Sequence, residues 1–433
     1  MLDATAVVIG AIVGVGIFFT PSRVAELAGS GSLALWTWAL GGLIALLGAL
    51  TFAELGAMVP RAGGQYELLR DAYGPATGFV YVVCNATATQ AGAIGVIALV
   101  CVDNLAVALT GATLEPIATL GCAIGLTVGV ALANAAALRW GARIQNFTVL
   151  VKLATLLCVA AVALLGAPEA REVAELEAAP RLHPLAAVAA ALVPTLFAFG
   201  GWQQVLWIGG EVEQPERNLP ISILGGVLTV IAVYLLANWA YLALLGHAGV
   251  AQSDTLAADA VAVVFGGPGR RAIAIAVAVS ALGVLNAQLL TGPRLLFALA
   301  RDGRLWPLLG RVHEGRGTPV PAIATLAGTA IVLLVCAGQD GIDRLLTGVV
   351  LIDGFFFSLT GLASLVLARR MPRAQRPVRM PGFPVVPLLF GLTELAVVVG
   401  AWLDPEVRGA AAIGAAWIAA ALLLYWLRFR HAR

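Results

Sequence analysis

Charge is what this chain has least of. Charged residues fill 12% of its 433 positions and hydrophobic residues 60%, whereas a soluble domain carries about 25% charged residues. That balance excludes a water-soluble globular protein. The net charge of +2 supplies no basic surface for nucleic acid, which is not expected as a partner. Lysine is scarcer still: of 26 lysines and arginines one is lysine, Lys152, leaving 25 arginines. The four histidines, His183, His247, His313 and His431, fall in segments that read as loops or tail, which argues against a histidine proton relay. The five cysteines, Cys84, Cys101, Cys122, Cys158 and Cys336, are odd in number and lack metal-ligand spacing. Lying within apolar runs, they read as small core residues. No nucleophile–base pair, phosphate-cradling loop or metal cluster can be assembled, so no catalytic residue, cofactor or metal is expected and an enzyme is not.

What is present is apolar length. Twelve stretches are long enough to cross a hydrocarbon core of ~30 Å as helices: 4–22, 33–58, 76–107, 116–137, 145–166, 184–210, 220–245, 270–298, 319–337, 343–368, 383–403 and 409–428. They run continuously apolar, unlike the alternating strands of a membrane barrel. The expectation is an all-α integral membrane protein lying in a lipid bilayer, with 59–75 as a short interfacial segment and 301–318 as an inner loop. The first run lacks a basic leader and a small-residue cleavage site, so no cleavable signal peptide is expected. With the N-terminus placed inside, 18 arginines fall on the cytoplasmic side, Arg61, Arg70 and Arg217 among them, and seven outside. The positive-inside rule then puts both termini in the cytoplasm of a multi-pass protein of the inner (plasma) membrane.

Two of the apolar runs are interrupted. Ile9-Gly10-Ala11-Ile12-Val13-Gly14-Val15-Gly16-Ile17-Phe18-Phe19-Thr20-Pro21 holds three glycines, each costing roughly 1 kcal/mol against alanine in a helix, and favours an unwound middle. Non-helical backbone survives at membrane depth only against protein or a cavity. An unwound segment frees the N–H groups of one half-helix for a carboxylate and the carbonyls of the other for an ammonium. Close helix packing is the other use of such glycines. Thr195-Leu196-Phe197-Ala198-Phe199-Gly200-Gly201-Trp202 repeats the pattern in the second half. Paired broken segments in two halves point to a transporter with inverted repeats, here 4–166 and 184–367.

Few charges lie inside the spans. Lys152 sits well within span five, where a charge costs about 2.5–3.5 kcal/mol and must find partners in the bundle, unless it snorkels to the near boundary. Lysine can shed its proton where arginine cannot, so its retention here points to a compact or titratable cation. Asp353 lies mid-span ten and suits a substrate counter-ion, a proton carrier or a helix–helix hydrogen bond. Asp103 and Glu394 are placed nearer span ends, where packing or interfacial solvation accounts for them, and Glu54 reads as a gate or loop anchor.

Several motifs together resemble the amino acid–polyamine–organocation superfamily: Gly14-Val15-Gly16-Ile17-Phe18, Phe52-Ala53-Glu54-Leu55-Gly56 with Arg61-Ala62-Gly63-Gly64-Gln65-Tyr66, and Phe197-Ala198-Phe199-Gly200-Gly201-Trp202. Gln214-Pro215-Glu216-Arg217-Asn218-Leu219-Pro220, Leu285-Asn286-Ala287-Gln288-Leu289-Leu290-Thr291-Gly292-Pro293-Arg294 and Ala298-Leu299-Ala300-Arg301-Asp302-Gly303 are similar to its L-amino-acid transporter branch. The resemblance covers spans one to ten. It implies a leucine-transporter-type fold: a core over 1–367 with a five-plus-five inverted repeat, a linker at 368–382, and two further helices within 383–433. It also implies sodium-independent amino acid transport, commonly by exchange, with alternating access; the small residues of the broken segments suggest a small neutral substrate such as alanine or serine. Proton-coupled uptake and cationic or polyamine substrates are the alternatives, an amino acid sensor or channel a remote one. By the same resemblance the substrate carboxylate meets the amides of Gly14, Val15 and Gly16. The ammonium meets carbonyls near Ile12 and Val13 and at Phe197, Ala198 and Gly200, within a segment closed by Trp202. Phe197 caps the substrate, Tyr234 stands near it, and Lys152 takes the place of a sodium ion, linking spans one, five and eight with Ser280 as partner. Val15 replaces a small hydroxyl residue. Residues 108–115 lack the cysteine that bonds a glycoprotein subunit in animal members, so no disulfide-linked heavy chain is expected.

Overall fold

The computed structural model describes residues 2–59, 63–136, 141–166, 184–337, 342–370, 378–403 and 408–430. Arg61, His183, His431, the outer loop 167–183 and most of the linker after span ten lie outside the described residues. Twelve helices are long and apolar enough to cross a membrane, and no strand occurs among the described residues. Counterparts pack together: span one on span six, two on seven, three on eight and four on nine.

Spans one and six are both broken. Span one is helical over Leu2–Ile12 and again over Gly16–Ala28, with Val13 to Val15 unwound between. Span six is helical over Pro184–Phe199, turns at Gly200 and Gly201, and continues as a tighter 3₁₀ helix over Trp202–Glu211. The breaks cross each other at contact distance. Gly201 has φ 115°, and a Cβ there would sit 2.4 Å from the Ala11 carbonyl oxygen. A Cβ on Gly16 would meet Ala198 Cα at 3.1 Å. Glycine is required at Gly201 on both counts, for its backbone angle and for the approach of the two chains.

Span three holds a π-helical turn, Asn85–Thr89, between Pro75–Cys84 and Gln90–Thr110. Such turns add one residue and rotate the side chains that follow, and they gather at functional sites. Spans ten and eleven meet through glycines: a Cβ on Gly361 would lie 3.1 Å from Gly391 Cα. Spans five and eight close up where Thr148 occupies the room left by Gly283.

Some expectations change. The segment before span eight is helical from Leu256, not a loop, and breaks at Gly266 (φ 61°) before continuing to Thr291. Its helix-forming run is tied by Asp259, which accepts from Ser253 Oγ at 2.7 Å, Thr255 Oγ1 at 3.1 Å and Arg270 Nε at 3.0 Å. His247 is likewise in the helix Pro215–Ala251, just past a kink at Gly246, with Nε2 2.9 Å from the Ala25 carbonyl oxygen. Cys84 and Cys101 are buried, but Cys122, Cys158 and Cys336 are exposed. A membrane helix has a lipid face on which an apolar thiol is at home, so those three are not core residues. Glu54 anchors the linker, accepting from the Met380 amide at 3.3 Å.

On one face of the bundle the short helix Gln65–Tyr73 straps the ends of spans eight and ten together. Tyr66 Oη donates to Asp302 Oδ2 at 2.6 Å, Arg70 Nη1 to the same oxygen at 3.2 Å, and Gln65 Nε2 to Thr360 Oγ1 at 2.8 Å. Burial, helped by the bond to Asp302, pushes the Tyr66 phenol up to about 12. The bonded neutral phenol therefore contributes stability in full below pH ~10, the unfolded value, and loses it as pH rises towards about 12.

Two outcomes are expected. Gly201→Ala lowers the unfolding temperature in detergent, by more than about 1 kcal/mol of stability, whereas Gly225→Ala, in a helix with open space around it, holds or raises it; equal melting of the two would remove the steric argument. Tyr66→Phe flattens the alkaline loss of stability between about pH 10 and 12, seen as a smaller drop in melting temperature than in the parent protein.

Candidate functional site

Breaking a helix at membrane depth leaves backbone groups that need partners. In span one the Gly14 amide turns away from its helical acceptor and donates to the Ile12 carbonyl at 2.6 Å. The Gly10 carbonyl that it abandons is taken by Lys152, whose Nζ donates at 3.1 Å from a fully buried position. The Tyr234 hydroxyl, also fully buried, lies 2.9 Å from the Ile12 carbonyl and 3.2 Å from that of Ala198, so one side chain ties both breaks. In span six the Gly200 amide donates to the Phe197 carbonyl at 3.1 Å and the Gly201 amide to Gln203 Oε1 at 3.0 Å. At the start of the second half-helix the amides of Val15, Gly16 and Ile17 have no backbone acceptor among the described residues, as the first turn of any helix leaves them.

Of these, Val15 and Gly16 border a half-open cavity of about 100 Å³. Of the residues expected at the site, Ile12, Gly14, Val15, Gly16, Phe197, Ala198, Gly200, Trp202 and Asp353 line it. Tyr234, Val13, Lys152 and Ser280 do not; they stand behind its wall. The Ile12 carbonyl already receives two donors, so of the expected acceptors Phe197, Ala198 and Gly200 offer the cavity more. Phe197 closes one side with Phe19, their ring centroids 6.1 Å apart. On the other side Trp202 stacks on Phe357 at 5.3 Å, with Phe52 edge-on at 4.7 Å and Phe390 behind.

Lys152 links spans five and one, but its expected bond to span eight is not formed. Ser280 Oγ is buried without a partner, because the ammonium is turned to the carbonyl that the break exposes. Other lining residues were not singled out by pattern reading: Thr89 closing the π turn and Gln90 just after it, Gln203 and Gln204 in span six and Gln288 in span eight. Gln204 Nε2 lies 3.4 Å from Gln288 Oε1, joining spans six and eight at the rim. Glu394, expected near a span end, is mid-helix in Val385–Leu403 and faces the cavity. Its depth was the available signal, since a carboxylate so far from either end needs a reason.

A family profile described as amino acid permease matches residues 1–427. The chain belongs to the amino acid permease family. Within it, the chain is similar to the human large neutral amino acids transporter small subunit 2, 31% identical over 99% of this chain and 79% of that one. It is 28% identical to the serine/threonine exchanger SteT of Bacillus subtilis over 90% of this chain and 87% of that one. It is 31% identical to the mouse Asc-type amino acid transporter 1 over 90% and 74%. The protein is thus a multi-pass amino acid transporter of the L-amino-acid transporter type, and not an enzyme.

In this permease the cavity sits where both breaks meet, and two of its walls belong to helices that are not continuous. A group held there is gripped by backbone, with a carboxylate favoured at the N-terminal end of the Gly16 half-helix. Replacing Lys152 by alanine should leave the Gly10 carbonyl unpaired and cut transport by about tenfold or more, the scale of one lost charge-assisted hydrogen bond. Exposed Arg428→Ala is the comparison, both read as initial exchange rates at matched protein in vesicles. Equal rates would take Lys152 out of the mechanism.

Proposed function

We propose that the protein is a sodium-independent exchanger of small neutral L-amino acids, working by alternating access. The observation that carries this reading is the meeting of both breaks in one cavity, with the first-turn amides of Val15 and Gly16 on one side and the Phe197, Ala198 and Gly200 backbone on the other. A zwitterion fits that arrangement: its carboxylate on the Gly16 half-helix and its ammonium at the carbonyl ends of the first half of span six. The cavity of about 100 Å³ is smaller than the ~300–1,000 Å³ of sites for drug-sized ligands, which favours substrates such as alanine or serine. Lys152 holds a fixed positive charge against the first break, the role for which another transporter would bind a metal cation.

The pairing of spans one with six, two with seven, three with eight and four with nine supports a five-plus-five inverted repeat over 1–367. The last two spans lie outside it. The excess of arginine in the segments assigned to the cytoplasm supports a plasma-membrane protein with both termini inside. The absence of cysteine from 108–115 supports a subunit that needs no disulfide-linked partner.

The test is uptake of labelled L-alanine into sodium-free proteoliposomes, preloaded with L-alanine, empty, or given an inward proton gradient. Uptake into preloaded vesicles alone is expected. Uptake into empty vesicles driven by the gradient would make the protein a proton symporter, and no uptake of alanine or serine in any condition would overturn the substrate class.

A further inference from the structure

Two carboxyl groups meet in the central cavity with no basic side chain beside them. Asp353 comes from the middle of span ten and Glu394 from the middle of span eleven, outside the ten spans that hold the breaks. Glycine makes the meeting possible. Glu394 Oε2 lies 3.2 Å from the point where a Cβ on Gly354 would stand, and Gly361 against Gly391 draws the same two helices together two turns away. Spans ten and eleven are therefore packed closely enough to bring a second carboxyl group into the cavity that the first one lines.

The surrounding wall is rich in acceptors. Gln90 is 3% exposed, lines the cavity and has its Oε1 unpartnered; Thr89, 5% exposed, lies beside Asp353 without the geometry of a hydrogen bond. No lysine, arginine or histidine lines the cavity, and the ammonium of Lys152 is turned towards Gly10. Neither carboxyl group has an ion pair among the described residues. Buried acceptors without donors are costly, more so when charged, and a ligand that brings N–H donors and a positive charge relieves all of them together.

We propose that Asp353 and Glu394 form a cation-accepting subsite that receives the side-chain ammonium of a short diamino acid, while its α-carboxylate and α-ammonium occupy the two breaks. The subsite rests on the reading of the cavity as the substrate site and adds a substrate class to it. Span eleven then carries a specificity determinant.

The decisive comparison uses two compounds of equal length, L-2,4-diaminobutyrate, its side-chain amine protonated at neutral to mildly alkaline pH, and neutral L-homoserine. Each competes against labelled L-alanine in exchange through the full-length protein in proteoliposomes. Diaminobutyrate should compete at a concentration lower by about tenfold, the scale of one charge-assisted hydrogen bond, and should itself drive counterflow from inside the vesicle. In Glu394→Gln and in Asp353→Asn the ratio of the two inhibition constants should fall by about tenfold, whatever happens to the absolute rate. Homoserine competing as well as or better than diaminobutyrate would overturn the subsite, and that comparison needs no variant to fold. An unchanged ratio in both variants would overturn it too. Alanine exchange without diaminobutyrate counterflow defeats the subsite alone. Diaminobutyrate counterflow without alanine exchange defeats the neutral-substrate reading and leaves the subsite standing.

Discussion

A helix interrupted inside a bilayer must find a partner for every backbone group it frees, because lipid offers none. The centre of this protein is organised by that requirement. Lys152 takes the Gly10 carbonyl, Gly14 folds back on Ile12, Gln203 takes the Gly201 amide, and Tyr234 reaches both breaks. Beyond these bonds the first-turn amides of the second half-helix stay open, and those of Val15 and Gly16 border a cavity. Binding capacity here is what is left once the scaffold has satisfied itself.

The same logic explains why so few charges lie in the spans and why those few sit where they do. Lys152 is fully buried yet not in the cavity, so its charge acts through the backbone of span one. Asp353 and Glu394 are in the cavity and have no such partner. The positive charge thus supports the framework, whereas the negative charges face the space where a ligand would be. Aromatic rings close both sides: Phe19 with Phe197 on one, and the group of Trp202, Phe357, Phe52 and Phe390 on the other.

Much of this was legible in the residues. Glycine clusters marked both breaks because glycine in a helix has a local cost that can be read without a fold. A single lysine among arginines marked the buried cation for a similar reason. Glu394 was misplaced although the run 383–403 already puts it at the middle of its span, a depth that should have marked it. Thr89 and Gln90 were invisible because a π turn leaves no signature in periodicity, and the five cysteines could not be divided into core and surface because both faces of a membrane helix are apolar. The bond expected from Lys152 to Ser280 failed for a different reason: the carbonyl released by the break competes for the same ammonium, and sequence does not rank acceptors.

Tyr234 has a consequence of its own. A hydroxyl carries one proton, so of the carbonyls of Ile12 and Ala198 it can serve only one fully at any instant. The two candidate bonds, 2.9 and 3.2 Å, are close to interchangeable. A small displacement of either half-helix would pass the proton from one carbonyl to the other instead of breaking a bond outright. At the crossing of the two broken helices, which glycine brings to contact distance, the hydroxyl thus makes a hydrogen bond that can be handed over and need not be lost.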